Sequence, residues 1–246
     1  MTKGAFSRTE KLIGREGMHK LRNSRVMVFG LGGVGGYVVE GIARAGIGSI
    51  CIVDYDTVDL TNVNRQIIAL NSTIGMFKTD AFRERLVDIN ENIRVDVFNV
   101  KVTAENIHDF FHDKCDYIVD AIDDTVAKIL LIEKAKSSNT PIMSSMGAGN
   151  RVDPSKFKIC DISRTHTCPL AKKIRKELAV RGINGVKALF SDEPPIKIEN
   201  NSDGLASIAF VPAVAGLMIA GEVVRDLLLG DQNEQLHTNG KEERNQ

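Results

Sequence analysis

A glycine run, GLGGVGG at Gly30 to Gly36, ends the short apolar segment VMVF and opens helix-like sequence that continues to Ala45. Gly30, Gly32 and Gly35 satisfy the GxGxxG spacing in the strand-to-helix context that gives it meaning. Glycines there let backbone N–H groups approach a phosphate, and the helix N-terminus favours the anion. Asp54 ends the next apolar run, 19 residues after Gly35, where a carboxylate can accept ribose hydroxyls. The bland alternative is a glycine turn that serves only tight packing.

The loop does not say which nucleotide, so the residues after Asp54 must decide. In DYDTVDLTNVNRQ, Asp54 to Gln66, polar and charged groups bunch just outside a strand's carboxyl end: Asp54, Asp56, Asn62, Arg65 and Gln66. A hydride-transfer site needs an apolar nicotinamide slot, whereas a triphosphate needs cations. Arg65 supplies one in bidentate form, and Lys78 supplies another at the start of the next helix-like run. Asp123 lies past the end of YIVDAI, where ligands gather in open α/β sheets. A carboxylate facing a triphosphate is placed to hold Mg²⁺. These groups together make an ATP-cleaving site. Against that reading, Arg65 and Lys78 could simply pair with Asp56 and Asp59 at the surface.

The elements that must position these groups alternate along the chain. Strand-like segments are Val26 to Gly30, Ser49 to Asp54, Val95 to Val100, Tyr117 to Ile122 and Pro141 to Ser145. Helix-like segments are Lys78 to Asn90, with Ala81, Phe82, Leu86 and Ile89 on one face, and Thr125 to Ser137. Such alternation predicts an α/β, Rossmann-like domain, a mostly parallel sheet with helices on both faces. Further on come a strand at Phe157 to Ile162, a helix opened by Pro169, a strand in GVKALF, and a long apolar helix from Pro212 to Leu229. SDEPPIKIENNSDG reads as a surface loop, and the polar residues 231–246 as a flexible tail. The division expected is one domain over residues 1–230, its nucleotide-binding part at about 20–150 and a substrate-facing extension at about 151–230.

Composition bounds the rest. Lys plus Arg is 32 and Asp plus Glu is 32, so the chain is no globally basic nucleic-acid coat, although a local basic patch remains open. The first residues carry charge and no apolar run, and the apolar stretch Ile208 to Gly221 is too short to span a bilayer, so a cytoplasmic protein without a membrane partner is expected. The cysteines, Cys51, Cys115, Cys160 and Cys168, form no CxxC pair, which argues against zinc.

GLGGVGG, the DYD pair, NVNRQ, GMFK and VDAIDD together resemble the adenylation domain of the ubiquitin-activating-enzyme-like ThiF/MoeB/HesA family. The resemblance implies that Gly30, Gly32, Gly33, Gly35, Asp54 and Asp56 hold ATP. It gives Asn62, Arg65, Gln66 and Lys78 contacts to the triphosphate and α-phosphate, and Asp123 the Mg²⁺. It further implies a homodimer in which Arg8, from FSRTEKLIG, reaches the neighbouring subunit's ATP; without the family Arg8 reads as a solvated N-terminal residue. Sulfur-carrier activators usually carry two CxxC zinc pairs, which this chain lacks. PIMSSMGAGNRVDPSKFKICDISRTHTCPLAKKIRKEL and FSDEPPI are similar instead to the tRNA threonylcarbamoyladenosine dehydratase branch. That likeness implies ATP-dependent cyclisation of a modified adenosine beside the anticodon, through an acyl-adenylate. The other reading kept is an activator of a ubiquitin-like sulfur-carrier protein. Some members work beside a cysteine desulfurase system, a partner these residues do not reveal.

A basic run completes the picture. Between Leu170 and Phe190, Lys172, Lys173, Arg175, Lys176, Arg181 and Lys187 stand against one acid, Glu177. With Leu170, Ile174 and Leu178 buried, Lys172, Lys173, Arg175 and Lys176 would project outward to tRNA phosphates; a merely solvated helix face is the alternative. Cys168 beside His166 invites a thiol reading, but tethered cyclisation needs no protein nucleophile. Cys51 is expected in the core, and His108 and His112 are too few ligands for a metal.

Overall fold

The structure is a computed structural model that describes residues 4–198 and 205–230. The proposed tail at 231–246 and the end of the expected surface loop lie outside the described residues.

Seven strands form one sheet: β1 (Arg25–Phe29), β2 (Ser49–Val53), β3 (Arg94–Phe98), β4 (Tyr117–Asp120), β5 (Ile142–Ser145), β6 (Phe157–Asp161) and β7 (Lys187–Ser191). Their spatial order is β3-β2-β1-β4-β5-β7-β6. Every neighbouring pair is parallel except β6 with β7, which runs antiparallel at one edge. Chain order reverses between β1 and β4, and the crevice above their carboxyl ends is the topological switch point of an open α/β sheet.

The helices are α1 (Ser7–Asn23), α2 (Gly35–Ala45), α3 (Lys78–Ile89), α4 (Thr125–Ser137), α5 (Pro169–Val180) and α6 (Phe210–Leu229). Period-two alternation in β1 sends Val26 and Val28 into a core shared with α2, α3 and α6, and Met27 and Phe29 into a second core shared with α4 and α5. Both faces are therefore covered, as the apolar strands require. No described helix is long and apolar enough to cross a membrane; α6, the most apolar, instead buries Val211, Ala215, Ile219 and Val223 against α2.

Helix α1 was not foreseen. Its residues are charged and interrupted by Gly14, which sits at φ +77°, so the apolar period breaks in the middle. Packing decides the matter: Met18 and Leu21 are buried, and α1 lies against α6. The expected strand ends shift by a few residues; Asp54 lies just past β2, and Ile122 past β4.

Candidate functional site

Two glycines are dictated by sterics. Gly30 has φ +84°, and a Cβ there would lie 2.7 Å from the Ala121 carbonyl oxygen; one on Gly35 would lie 1.8 Å from the Gly30 oxygen. The loop thus folds back onto itself and onto the turn after β4. Gly32 faces open space. Among the described residues, the N–H groups of Gly32, Gly33 and Val34 donate to no protein acceptor, and α2 begins without a side-chain cap or an acid in its first turn. Such an N-terminus presents unspent donors to an anion.

Asp54 ties this loop to the next. One of its oxygens accepts from the Leu31 N–H at 2.6 Å and the other from the Asp56 N–H at 2.8 Å. Its buried carboxylate keeps lone pairs for a ribose. Arg65 is brought to the loop as well: its Cγ is 3.6 Å from where a Gly33 Cβ would stand. Its guanidinium donates to the Thr61 carbonyl (2.8 Å) and the Asn64 side chain (2.9 Å), not to Asp56 or Asp59. Asn62 is buried and accepts from the Asp59 N–H at 3.2 Å, closing a capping box over Leu60–Asn62. Gln66 is also buried, and its Oε1 has no hydrogen-bond partner. An orphaned acceptor of this kind calls for a hydroxyl or amine donor, which a nucleotide's ribose or base carries and its phosphates do not.

Lys78 does pair with Asp56, at 2.7 Å, as the bland alternative expected. The pair straddles the surface: the Lys78 side chain is 6% exposed and that of Asp56 45%. Asp123 is exposed on the turn after β4. Tyr55 reports the local field: Asp56 foremost, then burial and the charges of Asp123, Asp54 and Asp124, raise its phenol above the ordinary range. Four carboxylates therefore lie within electrostatic reach of Tyr55. Among the described residues no group of three metal-ligating side chains occurs, so a divalent ion here would take Asp123 together with oxygens of the nucleotide.

Sequence spacing does not reveal what sits beneath the mouth of the crevice above β1 and β4. Asp120 and Lys128 form an ion pair of 2.8 Å with both side chains fully buried. The same Asp120 oxygen accepts from Ser144 Oγ at 2.5 Å, and the other accepts from the Ile122 N–H at 3.2 Å. Asp124 then caps α4 through the N–H groups of Val126 and Ala127. The turn carrying Asp123 is clamped at both ends. The available signal was a charged residue interrupting the apolar run YIVDAI and a lysine amid the apolar residues of α4. Spacing does not single out Tyr55 and Lys101 either: the Lys101 ammonium lies 5.9 Å over the exposed Tyr55 ring and 3.8 Å from Asp124.

Other expectations separate from the site. Arg8 is exposed near the start of α1, whose preceding Phe6 lies by Gly46 at the far end of α2. Eleven helical residues, about 16 Å, lie between that end and the glycine loop, so Arg8 does not join its own chain's site. On α5, Lys172, Lys173 and Lys176 are exposed and have no ion pair among the described residues. Arg175 corrects the outward face: it is half-buried and donates to the Thr165 carbonyl (2.6 Å) and hydroxyl (2.7 Å), which ties α5 to the preceding turn. The Asp124 carboxyl is held below its ordinary range, chiefly by the Ala127 N–H, with Lys101 and Lys173 contributing. Of the basic residues on α5, Lys173 alone reaches that carboxyl, and more weakly than Lys101. Cys168 is buried, Cys51 lies in the core as expected, and burial pushes the Cys51 thiol up to about 12.

Comparison with known proteins gives a match of residues 6–243 to the model of the ThiF family. The chain is 45% identical to the tRNA threonylcarbamoyladenosine dehydratase of Bacillus subtilis, over 91% of this chain and 94% of that protein. The Escherichia coli enzyme of the same name, solved in complex with ATP, superposes with a TM-score of 0.87 at 30% identity, covering 93% of this chain and 96% of that one. Its complex with AMP gives the same TM-score at 31% identity.

Proposed function

The chain belongs to the ThiF family, and from that premise we propose that it is an ATP-dependent tRNA threonylcarbamoyladenosine dehydratase. The observation that carries this reading is the crevice above β1 and β4, where free loop N–H groups, Arg65, Lys78 and Asp123 surround one mouth, with no thiol exposed to it. The likeness in extent to relatives of that name, over nine-tenths of both chains, supports it over a sulfur-carrier activator.

In this reading Gly30, Gly32, Gly33 and Gly35 admit the phosphates, and Asp54 takes the ribose. The exposed Tyr55 ring, beside Asp54, offers the base a face. Asn62 and Gln66 line the triphosphate path and would meet its oxygens through their amide N–H donors. Arg65 and Lys78 neutralise charge as a carboxylate oxygen of the modified nucleoside bonds to the α-phosphorus and pyrophosphate leaves. Asp56 holds Lys78 in register until then. Mg²⁺, when bound at Asp123, would screen the phosphates. The substrate's own carbamoyl group then attacks the activated carbonyl and AMP departs, so the nucleoside loses one water as its ring closes. A tethered nucleophile makes a protein thiol unnecessary; stabilising charge at the α-phosphate is what remains for the protein.

Lys172, Lys173 and Lys176 would meet the tRNA backbone. The reading includes a cytoplasmic homodimer in which Arg8 serves the neighbouring subunit's site, a position its distance from its own loop supports. It also keeps a nucleotide-binding part at about 20–150 and an extension at about 151–230 within one domain. ATP–pyrophosphate exchange tests the reading directly. Exchange is expected with tRNA bearing threonylcarbamoyladenosine and not with unmodified tRNA. Exchange driven by a diglycine-ended carrier protein instead would move the chain to the activator class.

A further inference from the structure

Beyond the groups already described, one cation on the carboxyl side of the sheet has an unexplained edge. Arg151 follows β5 on the loop 146–152 and is only 4% exposed. Its Nη1 donates to the Gly149 carbonyl at 2.9 Å and its Nε to the Glu193 carbonyl at 3.2 Å. Its Nη2 is buried without a hydrogen-bond partner. No carboxylate of the described residues pairs with it, and Glu193 turns its own carboxylate to the N–H groups of Val152 and Asp153. A guanidinium so placed is costly, since its charge is buried with two neutral carbonyls as partners and one nitrogen unmet, and an anion is the partner that would offset both. A latch between two carbonyls needs neither the net charge nor the third nitrogen.

Its location gives that anion a source. Loop 146–152 leaves the carboxyl end of β5, two strands from β1, or about 10 Å across the sheet from the glycine loop. Gly147 lies against the guanidinium: a Cβ there would stand 3.6 Å from Arg151 Nη1 and 3.6 Å from Cys168 Sγ, in ordinary contact with both. The same loop is bonded to the nucleotide rim. Asn150 exchanges hydrogen bonds with Ala206 (2.7 and 2.8 Å), the neighbouring Ser207 carbonyl accepts from Asn64 (3.0 Å), and Asn64 accepts from Arg65.

We propose that Arg151 is the oxyanion-binding residue of the acceptor subsite, taking a carboxylate or phosphodiester oxygen of the nucleotide substrate. The proposal rests on the acyl-adenylate reading above. Lys78 and Arg65 attend the ATP phosphates, so a separate cation must hold the acceptor anion against a like-charged nucleotide.

The test uses Arg151→Gln, together with Arg151→Met, which fills the same space without a buried charge. ATP affinity is measured by calorimetry without tRNA, and pyrophosphate release with threonylcarbamoyladenosine-bearing tRNA and with the free modified nucleoside. Both variants are expected to bind ATP within about twofold of the parent. Their KM for tRNA should rise about tenfold or more, the effect of losing one charge-assisted hydrogen bond. An equal loss on the free nucleoside identifies the anion as the carboxylate; a loss confined to tRNA identifies a phosphodiester. Unchanged kinetics, lost ATP affinity or failure of both variants to fold would overturn the proposal, leaving a structural latch. If the parent protein itself releases no pyrophosphate with modified tRNA, the functional reading has failed and not the assignment of Arg151.

Discussion

Two charged regions of the molecule are built on opposite rules. At the mouth above β1 and β4, nearly every charge is anchored: Asp54 by two N–H groups, Lys78 by Asp56, and Asp120 by Lys128 and Ser144. On α5, Lys172, Lys173 and Lys176 stand in solvent with no ion pair among the described residues. Preorganised charge acts on a transition state because nothing must reorient when charge develops. Solvated lysines suit a partner whose phosphates arrive in variable positions and displace counterions. The contrast separates chemistry from docking.

Breaking the anchored side should have the larger effects. Lys128→Met strands the fully buried Asp120 carboxylate, and loss of one partner of such a pair costs about 3–5 kcal/mol; urea unfolding of the purified variant measures it. A loss below about 1 kcal/mol would mean that the turn carrying Asp123 is held by other contacts. Next in size, Lys78→Ala should lower ATP–pyrophosphate exchange about 10²-fold, as removal of one preorganised donor does, with a smaller loss of stability than Lys128→Met because the Asp56 left behind is half-exposed to water. Near-normal exchange would reduce Lys78 to a structural partner of Asp56.

The docking side should yield more gently. Charge reversal at Lys172, Lys173 and Lys176 is expected to raise the tRNA KM without altering ATP affinity. It should also flatten the plot of log affinity against log salt by about 0.7 for each single-strand phosphate contact removed; an unchanged slope would make this face merely solvated. The smallest effect belongs to the joint between the two regions. Asp124→Ala removes the cap of α4, worth about 1 kcal/mol. Because the folded state depresses this carboxyl, its contribution is present at neutral pH and lost as the pH falls through the acid range. The difference between parent and variant should therefore shrink in acid, and a constant gap in pH-dependent melts would exclude the charge as its cause.

The anchored region was largely legible in the sequence because its parts are local. Glycine spacing, Asp54 at a strand end and Lys78 at a helix start each follow from a short window. What was not legible depends on contacts between distant segments. Asp120, Lys128 and Ser144 meet only once β4, α4 and β5 are packed, and Arg175 turns inward because Thr165 is there to receive it. Helix α1 escaped notice for a related reason: its amphipathic face is broken at Gly14, and its order comes from packing against α6. Tyr55 was visible in the DYD pair, but an aromatic flanked by acids signals nothing until the carboxylates of two loops converge on it.

The close approach of α2 and α6 bears on how the chain is made. A Cβ on Gly216 would stand 2.4 Å from the Val34 carbonyl oxygen, and one on Gly41 would stand 2.6 Å from the Ala220 Cβ. The helix behind the glycine loop is thus sealed by the last helix described. On the ribosome, β1, the loop and α2 emerge well before α6, so the flank that α6 covers is bare at first. The nucleotide loop therefore reaches its final packing only once α6 has been made, and until then its apolar flank is open to non-native contacts.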